Sequence, residues 1–234
     1  MVIVLCGTGS VWGFWKYDVL LPILLIAMNT IFKMIGSAVC HQMAERSFIL
    51  QGQQLPVCAR CTGIYSGIFF SMVFFFIFRR LHGNKPYATK GMLLGALAFI
   101  PISIDGFFSY LGFWESTQLL RVVTGALAGA SLPGFFLLGA NFTVGAENNK
   151  SIFQSFTEQL LVMGIALLFG VMLWMNIGSY FVTSVIVVLG IVCFWSDLIY
   201  LILKNLGGNG KLPFWLLSFC ASFFIILTIG VLRK

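Results

Sequence analysis

The sequence predicts an all-α, polytopic transmembrane helix bundle of about seven spans, on three observations. Of its 234 residues 59% are hydrophobic and 9% charged, and the mean hydropathy is +1.00. The apolar runs also reach the ~20 residues that a helix needs to cross ~30 Å of hydrocarbon at 1.5 Å per residue. Finally, these runs are continuous and lack the alternation of a membrane barrel strand, so helices, which satisfy their own backbone groups, are the expected spanning form. Residues 1–234 are expected to form one integral domain in the lipid bilayer. The formal charge of +7 sits in short loops between apolar runs; topology explains it, and nucleic acid is not expected as a partner.

The spans are expected at residues 19–38, 63–78, 91–109, 121–141, 159–177, 180–203 and 213–232. Only Gly178-Ser179 separates the fifth from the sixth, and joining them would give six. The second is short for a bilayer and is expected to begin inside the preceding loop. Residues 1–14 are too short to cross and lack the basic region of a signal peptide, so the first span doubles as an uncleaved insertion signal. Trp12, Trp15 and Tyr17 beside Lys16 form an interfacial anchor.

The densest basic stretch, Arg79-Arg80-Leu81-His82-Gly83-Asn84-Lys85 with Lys90 behind it, belongs in the cytoplasm of a cell (inner) membrane protein, which puts the N-terminus inside as well. Lys150, Lys204 and Lys211 then fall inside, while Arg233-Lys234 falls outside, against the rule. The loop 39–62, the turn after Asp105 and the approach to Arg121 share the extracytoplasmic face. Gly63 and Gly67, Gly91 and Gly95, and Gly125 and Gly129 form small-x-x-x-small pairs, so the second to fourth spans are expected to pack closely. The phenylalanine-rich stretch 69–78 is bulk for lipid and bundle.

The chemistry is expected where Cys40-His41-Gln42 is followed by Cys58-Ala59-Arg60-Cys61, a region that holds three of the six cysteines and one of the two histidines. Zinc takes four tetrahedral ligands from thiolate, imidazole and carboxylate, and Cys-x-x-Cys brings two sulfurs to one ion. Cys58 and Cys61 supply that half, and Cys40 or His41 extends it, with Glu45, Asp105 or water as a further ligand. Because adjacent Cys40 and His41 point differently in regular backbone, one is expected to ligate and the other to support. A rival is redox chemistry. Cys61 lies near a helix N-terminus beside Arg60, where a thiolate is stabilised, and Cys40 could act as its resolving partner, as in membrane thiol oxidoreductases that pass electrons to a quinone. In a third possibility the cluster is a structural bridge in a transporter or scaffold.

Charged residues within spans need partners or water. Asp105 and Arg121 bracket one turn, and either pair with each other or present an acid and an anion-binding guanidinium to the cysteines. Asp197, inside the sixth span, is a candidate relay or helix contact. Lys33 and Asn29 are expected to snorkel or to bond a neighbouring helix, and Cys6, Cys193 and Cys220 to be small hydrophobes. His82 is expected in solvent, and the acceptor-like Asn141-Phe142-Thr143 to be accidental.

The joint pattern of Cys40-His41-Gln42, Glu45-Arg46-Ser47-Phe48, 55–65 (Leu-Pro-Val-Cys-Ala-Arg-Cys-Thr-Gly-Ile-Tyr), Asp105-Gly106 and Arg121 with Thr124-Gly125 resembles a family of prokaryotic multi-pass membrane proteins of unknown function, marked by CHQ and CxRCxGIY motifs. The resemblance covers residues 35–130 and leaves the C-terminal helices, 145–234, without a match. It implies a membrane fold and places Arg60, Asp105 and Arg121 in one motif set with the cysteines, but it supplies no activity.

The expected site is thus a transition-metal centre, most simply zinc, held by Cys40, His41, Cys58 and Cys61, with Arg60, Asp105, Arg121 and Glu45 as candidates for chemistry. A closed site would stabilise the loop. A site open to water could act on a membrane-embedded substrate, with Arg60 or Arg121 holding an anionic group.

Overall fold

A computed structural model describes residues 25–206 and 212–232 of the chain. The helices are α1 (Leu25–Ser37), α2 (Ala59–Ile77), α3 (Thr89–Leu97), α4 (Phe99–Tyr110), α5 (Gln118–Asn141), α6 (Phe156–Trp174), α7 (Tyr180–Asn205) and α8 (Leu212–Leu232). α3 and α4 together make one span, Thr89–Tyr110, and it, α2, α5, α6 and α7 are, among the described residues, the five helices long and apolar enough to cross a membrane. The protein is an all-α bundle. The supposed anchor at Trp12, Trp15, Lys16 and Tyr17, Cys6, the start of the first span, Lys211 and Arg233-Lys234 lie outside the described residues.

Three boundaries move, each for a local reason. α2 begins at Ala59 rather than Gly63 because Cys58 is its N-cap: the Cys58 carbonyl accepts the Thr62 N–H at 2.8 Å and the Thr62 hydroxyl at 3.1 Å. α5 gains a turn because the Thr117 hydroxyl accepts the Leu120 N–H at 3.2 Å, capping the helix ahead of Arg121. α6 likewise starts early, with the Ser155 hydroxyl accepting the Glu158 N–H. α6 ends at Trp174, so the fifth and sixth spans are separate helices.

The close packing expected of the glycine pairs holds for α2 and α5. A Cβ on Gly63 would lie 2.3 Å from the Val122 carbonyl oxygen, and one on Gly129 2.0 Å from that of Ile64. The two backbones are therefore in direct contact, as small-residue seams allow without any hydrophobic drive between helices in lipid. Gly190 brings α7 equally close to Tyr65 of α2. The third span is different: Gly91 and Gly95 face the side chains of Gln159 and Phe135. In the phenylalanine-rich stretch, Phe74 and Phe75 fill the bundle while Phe76 and Phe78 face outward.

The segment between α1 and α2 folds back over the bundle. It carries a 3-10 turn, Ala44–Arg46, and a hairpin pairing Ile49 with Gln54 and Leu50 with Gln53. Gln51 and Gly52 between them have φ of 52° and 74°, the left-handed pair that a two-residue hairpin uses. Leu50 and Leu55 pack with Val122, Leu173 and Tyr180, so the hairpin covers the ends of α5, α6 and α7. The other end of the bundle carries the basic loop after α2.

Candidate metal centre

Each cysteine of the cluster is placed by a different element. α1 ends at Ser37, and the Cys40 N–H still reaches the Gly36 carbonyl at 2.9 Å, which tucks Cys40 against the bundle, 8% exposed. Cys58 caps α2 and Cys61 sits in its first turn, three residues on and so on the same helix face. The three Sγ atoms lie within 4.8 Å of one another, and the Cys58 N–H donates to Cys40 Sγ at 3.3 Å. All three are free thiols. The Cys58 and Cys61 side chains hydrogen-bond to Cys40 and hold its thiol far below the ordinary range, while the same bond and the Cys40 charge push Cys58 up.

Gln42 sets the loop that presents Cys40. At φ 54° its side-chain amide turns inward and donates to the Lys33 carbonyl at 2.6 Å and the Pro56 carbonyl at 2.8 Å. Gln54 returns the favour, donating to the Gln42 carbonyl at 2.8 Å. Gly36 makes room, since a Cβ there would lie 2.0 Å from the Pro56 oxygen. Gln42 was visible only as part of the CHQ motif, and Gln54 carried no signal in the sequence.

The expected metal set is brought together in part. His41 has an exposed side chain and lies outside the sulfur group, though it lines the same cavity. Glu45 is exposed on the 3-10 turn and lines a neighbouring cavity. Asp105 does not pair with Arg121 as its position suggested; it pairs with Arg60. Asp105 is the one buried residue of α4 among those described, so this carboxylate is the point at which α4 is fastened to α2. Its Oδ1 and the Arg60 Nε are buried without hydrogen-bond partners.

Arg121 closes the site from α5. It is 8% exposed and lines a cavity of about 200 Å³ with Cys40, Cys58, Cys61, Arg46 and Arg60. The thiols and the start of α5 thus share one end of the bundle.

A family model described as "Predicted membrane protein (DUF2085)" matches residues 40–136, from the first cysteine of the cluster to the middle of α5. An uncharacterized protein of Methanocaldococcus jannaschii is 35% identical over 129 residues, which is 55% of this chain and 74% of that protein. The chain belongs to this family. A second relative, an uncharacterized protein of Methanothermobacter thermautotrophicus, is 40% identical over 94 residues, 40% of this chain and 80% of its own length. No solved structure matches the chain. The matched region contains the whole thiol cluster, Arg60, Asp105 and Arg121; α6, α7 and α8 lie beyond it.

The donor set fits a thiophilic ion. Sulfurs bound at about 2.3 Å to a tetrahedral ion stand roughly 3.8 Å apart, which falls inside the 4.8 Å within which these three lie. Elsewhere, Asn29 bonds neighbouring elements as expected, accepting from the Tyr180 hydroxyl at 2.5 Å and donating to Gln53 at 3.3 Å. Asn141 is buried and hydrogen-bonded, which accounts for it without a glycan. His82 is exposed. Asp197 is buried on α7 with neither carboxylate oxygen hydrogen-bonded, well away from the thiols along the helix.

Proposed function

We propose that this DUF2085 protein binds one transition-metal ion, zinc by its donor set, through Cys40, Cys58 and Cys61 at the extracytoplasmic end of a cell-membrane bundle. The observation that carries the reading is the convergence of three free sulfurs from two separate chain segments within 4.8 Å. Three thiolates are three of the four donors that a tetrahedral ion takes; His41, at the rim of the same cavity, or a water would supply the fourth. When bound, the ion would act as a Lewis acid toward an oxygen ligand from the cavity. The chain's own part is to hold the sulfurs together through Gln42 and the α2 cap, and to fasten α4 beside them through Asp105 and Arg60.

The sidedness rests on the basic loop 79–90, which leaves the bundle at the end opposite the thiols and belongs in the cytoplasm by the positive-inside rule. A cysteine placed at Asn84 should then be shielded from an impermeant maleimide in intact cells, and one placed at Glu45 labelled.

Metal analysis of protein purified without added metal is expected to give about one zinc per chain, with Cys58→Ser/Cys61→Ser giving none. The thiol-disulfide reading draws on the same proximity of free thiols. Two thiols would become a disulfide as two electrons and two protons pass to a quinone-type acceptor. Metal-free protein that takes up fewer alkyl groups before reduction than after it would replace the zinc reading with that one.

A further inference from the structure

Arg121 is the group at the thiol end that the metal reading leaves unexplained. A guanidinium is always charged, and this one is more than nine-tenths buried. Its Nε has no hydrogen-bond partner, and among the described residues no carboxylate stands within ion-pair distance of it. A buried charge left in that condition is unfavourable by several kcal/mol unless a counter-charge arrives.

The surroundings add positive charge. Arg46 from the 3-10 turn, Arg60 from α2 and Arg121 from α5 line the same cavity of about 200 Å³, several times the ~30 Å³ that one water occupies in the liquid. Of the acids nearby, Asp105 is 1% exposed and engaged by Arg60, while Glu45 and Glu115 line the adjoining cavity that Arg46 and Arg121 also reach. The lining of the cavity itself thus carries three guanidiniums and, among the described residues, no carboxylate. The N-terminal turn of the 19-residue α2 opens beside the same cavity and favours negative charge.

We propose that this cavity is an oxyanion site for a phosphate-type group, with Arg121 as its buried anchor and Arg46 and Arg60 as flanking donors. Guanidiniums entering from three elements suit an anion with more than two acceptor oxygens, and planar forks bind phosphate oxygens in pairs. The group could belong to free phosphate or to an anionic lipid headgroup, since the cavity lies at one end of a bundle of apolar helices long enough to cross a membrane. The proposal deepens the zinc reading by naming the ligand class next to the sulfurs, but it stands on the arginines alone.

The test uses full-length protein, reduced, treated with chelator and held in phosphate-free dodecyl maltoside. The sulfurs are alkylated with iodoacetate, an anion, and with iodoacetamide, its neutral counterpart. An oxyanion site beside the cluster should raise the iodoacetate-to-iodoacetamide rate ratio about tenfold or more over that of glutathione, as a focused positive cleft does. Arg121→Gln should bring the ratio down to the glutathione value, and Arg121→Lys should keep part of the enhancement, which separates loss of charge from loss of fold. Suppression by inorganic phosphate identifies a free anion as the ligand, and suppression by phosphatidylglycerol micelles alone identifies a lipid headgroup. A wild-type ratio equal to that of glutathione, or an enhanced ratio that neither source suppresses, overturns the proposal. Zinc content is read on the same preparations before chelation. Protein without zinc that keeps the selectivity sinks only the metal reading, and protein with zinc that lacks it sinks only the oxyanion site.

Discussion

At the basic-loop end of the bundle, Arg80 donates twice to Glu158, at 2.5 and 3.0 Å, and once to the Ile152 carbonyl at 3.3 Å. Its guanidinium also lies 5.4 Å from the ring centres of Phe74 and Phe78. Nearby, Asn141 accepts from the Tyr200 hydroxyl at 3.0 Å and the Lys204 ammonium at 2.6 Å, and donates to the Leu81 carbonyl at 3.1 Å. At the thiol end, Arg60, Asp105 and Arg121 each keep a buried polar atom without a partner. Both ends spend charged residues on a membrane bundle and both keep buried unpaired atoms, Tyr87 Oη and Gln159 Oε1 at the first, but the Arg80 guanidinium has its carboxylate and the Arg121 guanidinium, among the described residues, has none. A buried charge without a counter-charge is costly, so the contrast separates an arginine that staples helices from one that faces a cavity unpaired.

The glycine seam joins the two ends, and breaking it should have the largest effect. Gly129→Ala would drive a Cβ to 2.0 Å from the Ile64 carbonyl oxygen, a backbone clash that no rotamer relieves; a loss of about 3 kcal/mol or more is expected, read as a collapse in the yield of monodisperse protein. Gly164→Ala, at a position with nothing within 4 Å of an added Cβ, should leave that yield unchanged.

The comparison itself sharpens on the two ion pairs. Asp105→Ala would strip a 1% exposed carboxylate from Arg60 and is expected to destabilise by about 3–5 kcal/mol. Glu158→Ala removes a partner that is 25% exposed and should cost about 1.5–3 kcal/mol. Denaturation midpoints in detergent give the order, and a cheaper Asp105→Ala would reverse the reading of which end is the more deeply engaged.

Asn141→Ala should come next, at about 1–3 kcal/mol, because it leaves the Tyr200 hydroxyl and the Leu81 carbonyl unpaired. Its zinc content should equal that of wild type, since the staple lies at the far end from the sulfurs. The smallest effect is expected from Gln42→Gly, which removes the bonds to the Lys33 and Pro56 carbonyls but suits φ 54°. A destabilisation of about 1 kcal/mol with weaker zinc retention is expected, and Gln42→Ala should be worse because it adds strain at positive φ.

Much of this arrangement was legible in the chain. Apolar run length located the helices to within a few residues, because the bilayer demands that length whatever the neighbours are. The clustering of Cys40, Cys58 and Cys61 marked the site, since sulfur-rich spacing is rare in so apolar a composition. Partner choice was not legible. Asp105 and Arg121 are near in sequence across one turn, yet Arg60, 45 residues away from Asp105, takes the carboxylate. Sequence separation says little about which side chains two packed helices turn toward each other. The roles of Gln54 and Arg46 were hidden for the same reason, whereas the start of α2 inside the motif loop was expected from the short second span, and only the capping position of Cys58 was not.

The amino-acid sequence by itself determined that the chain is a polytopic helical bundle with its soft donors gathered in one region, because hydrophobic length and residue type are properties of single segments. Only the tertiary structure decided that Cys40 joins Cys58 and Cys61, that Asp105 belongs to Arg60, and that Arg121 is left with an unpaired charge at a cavity. Those outcomes depend on which faces meet when Gly63 and Gly129 let α2 and α5 touch, and a direction of contact between helices is written in no single segment.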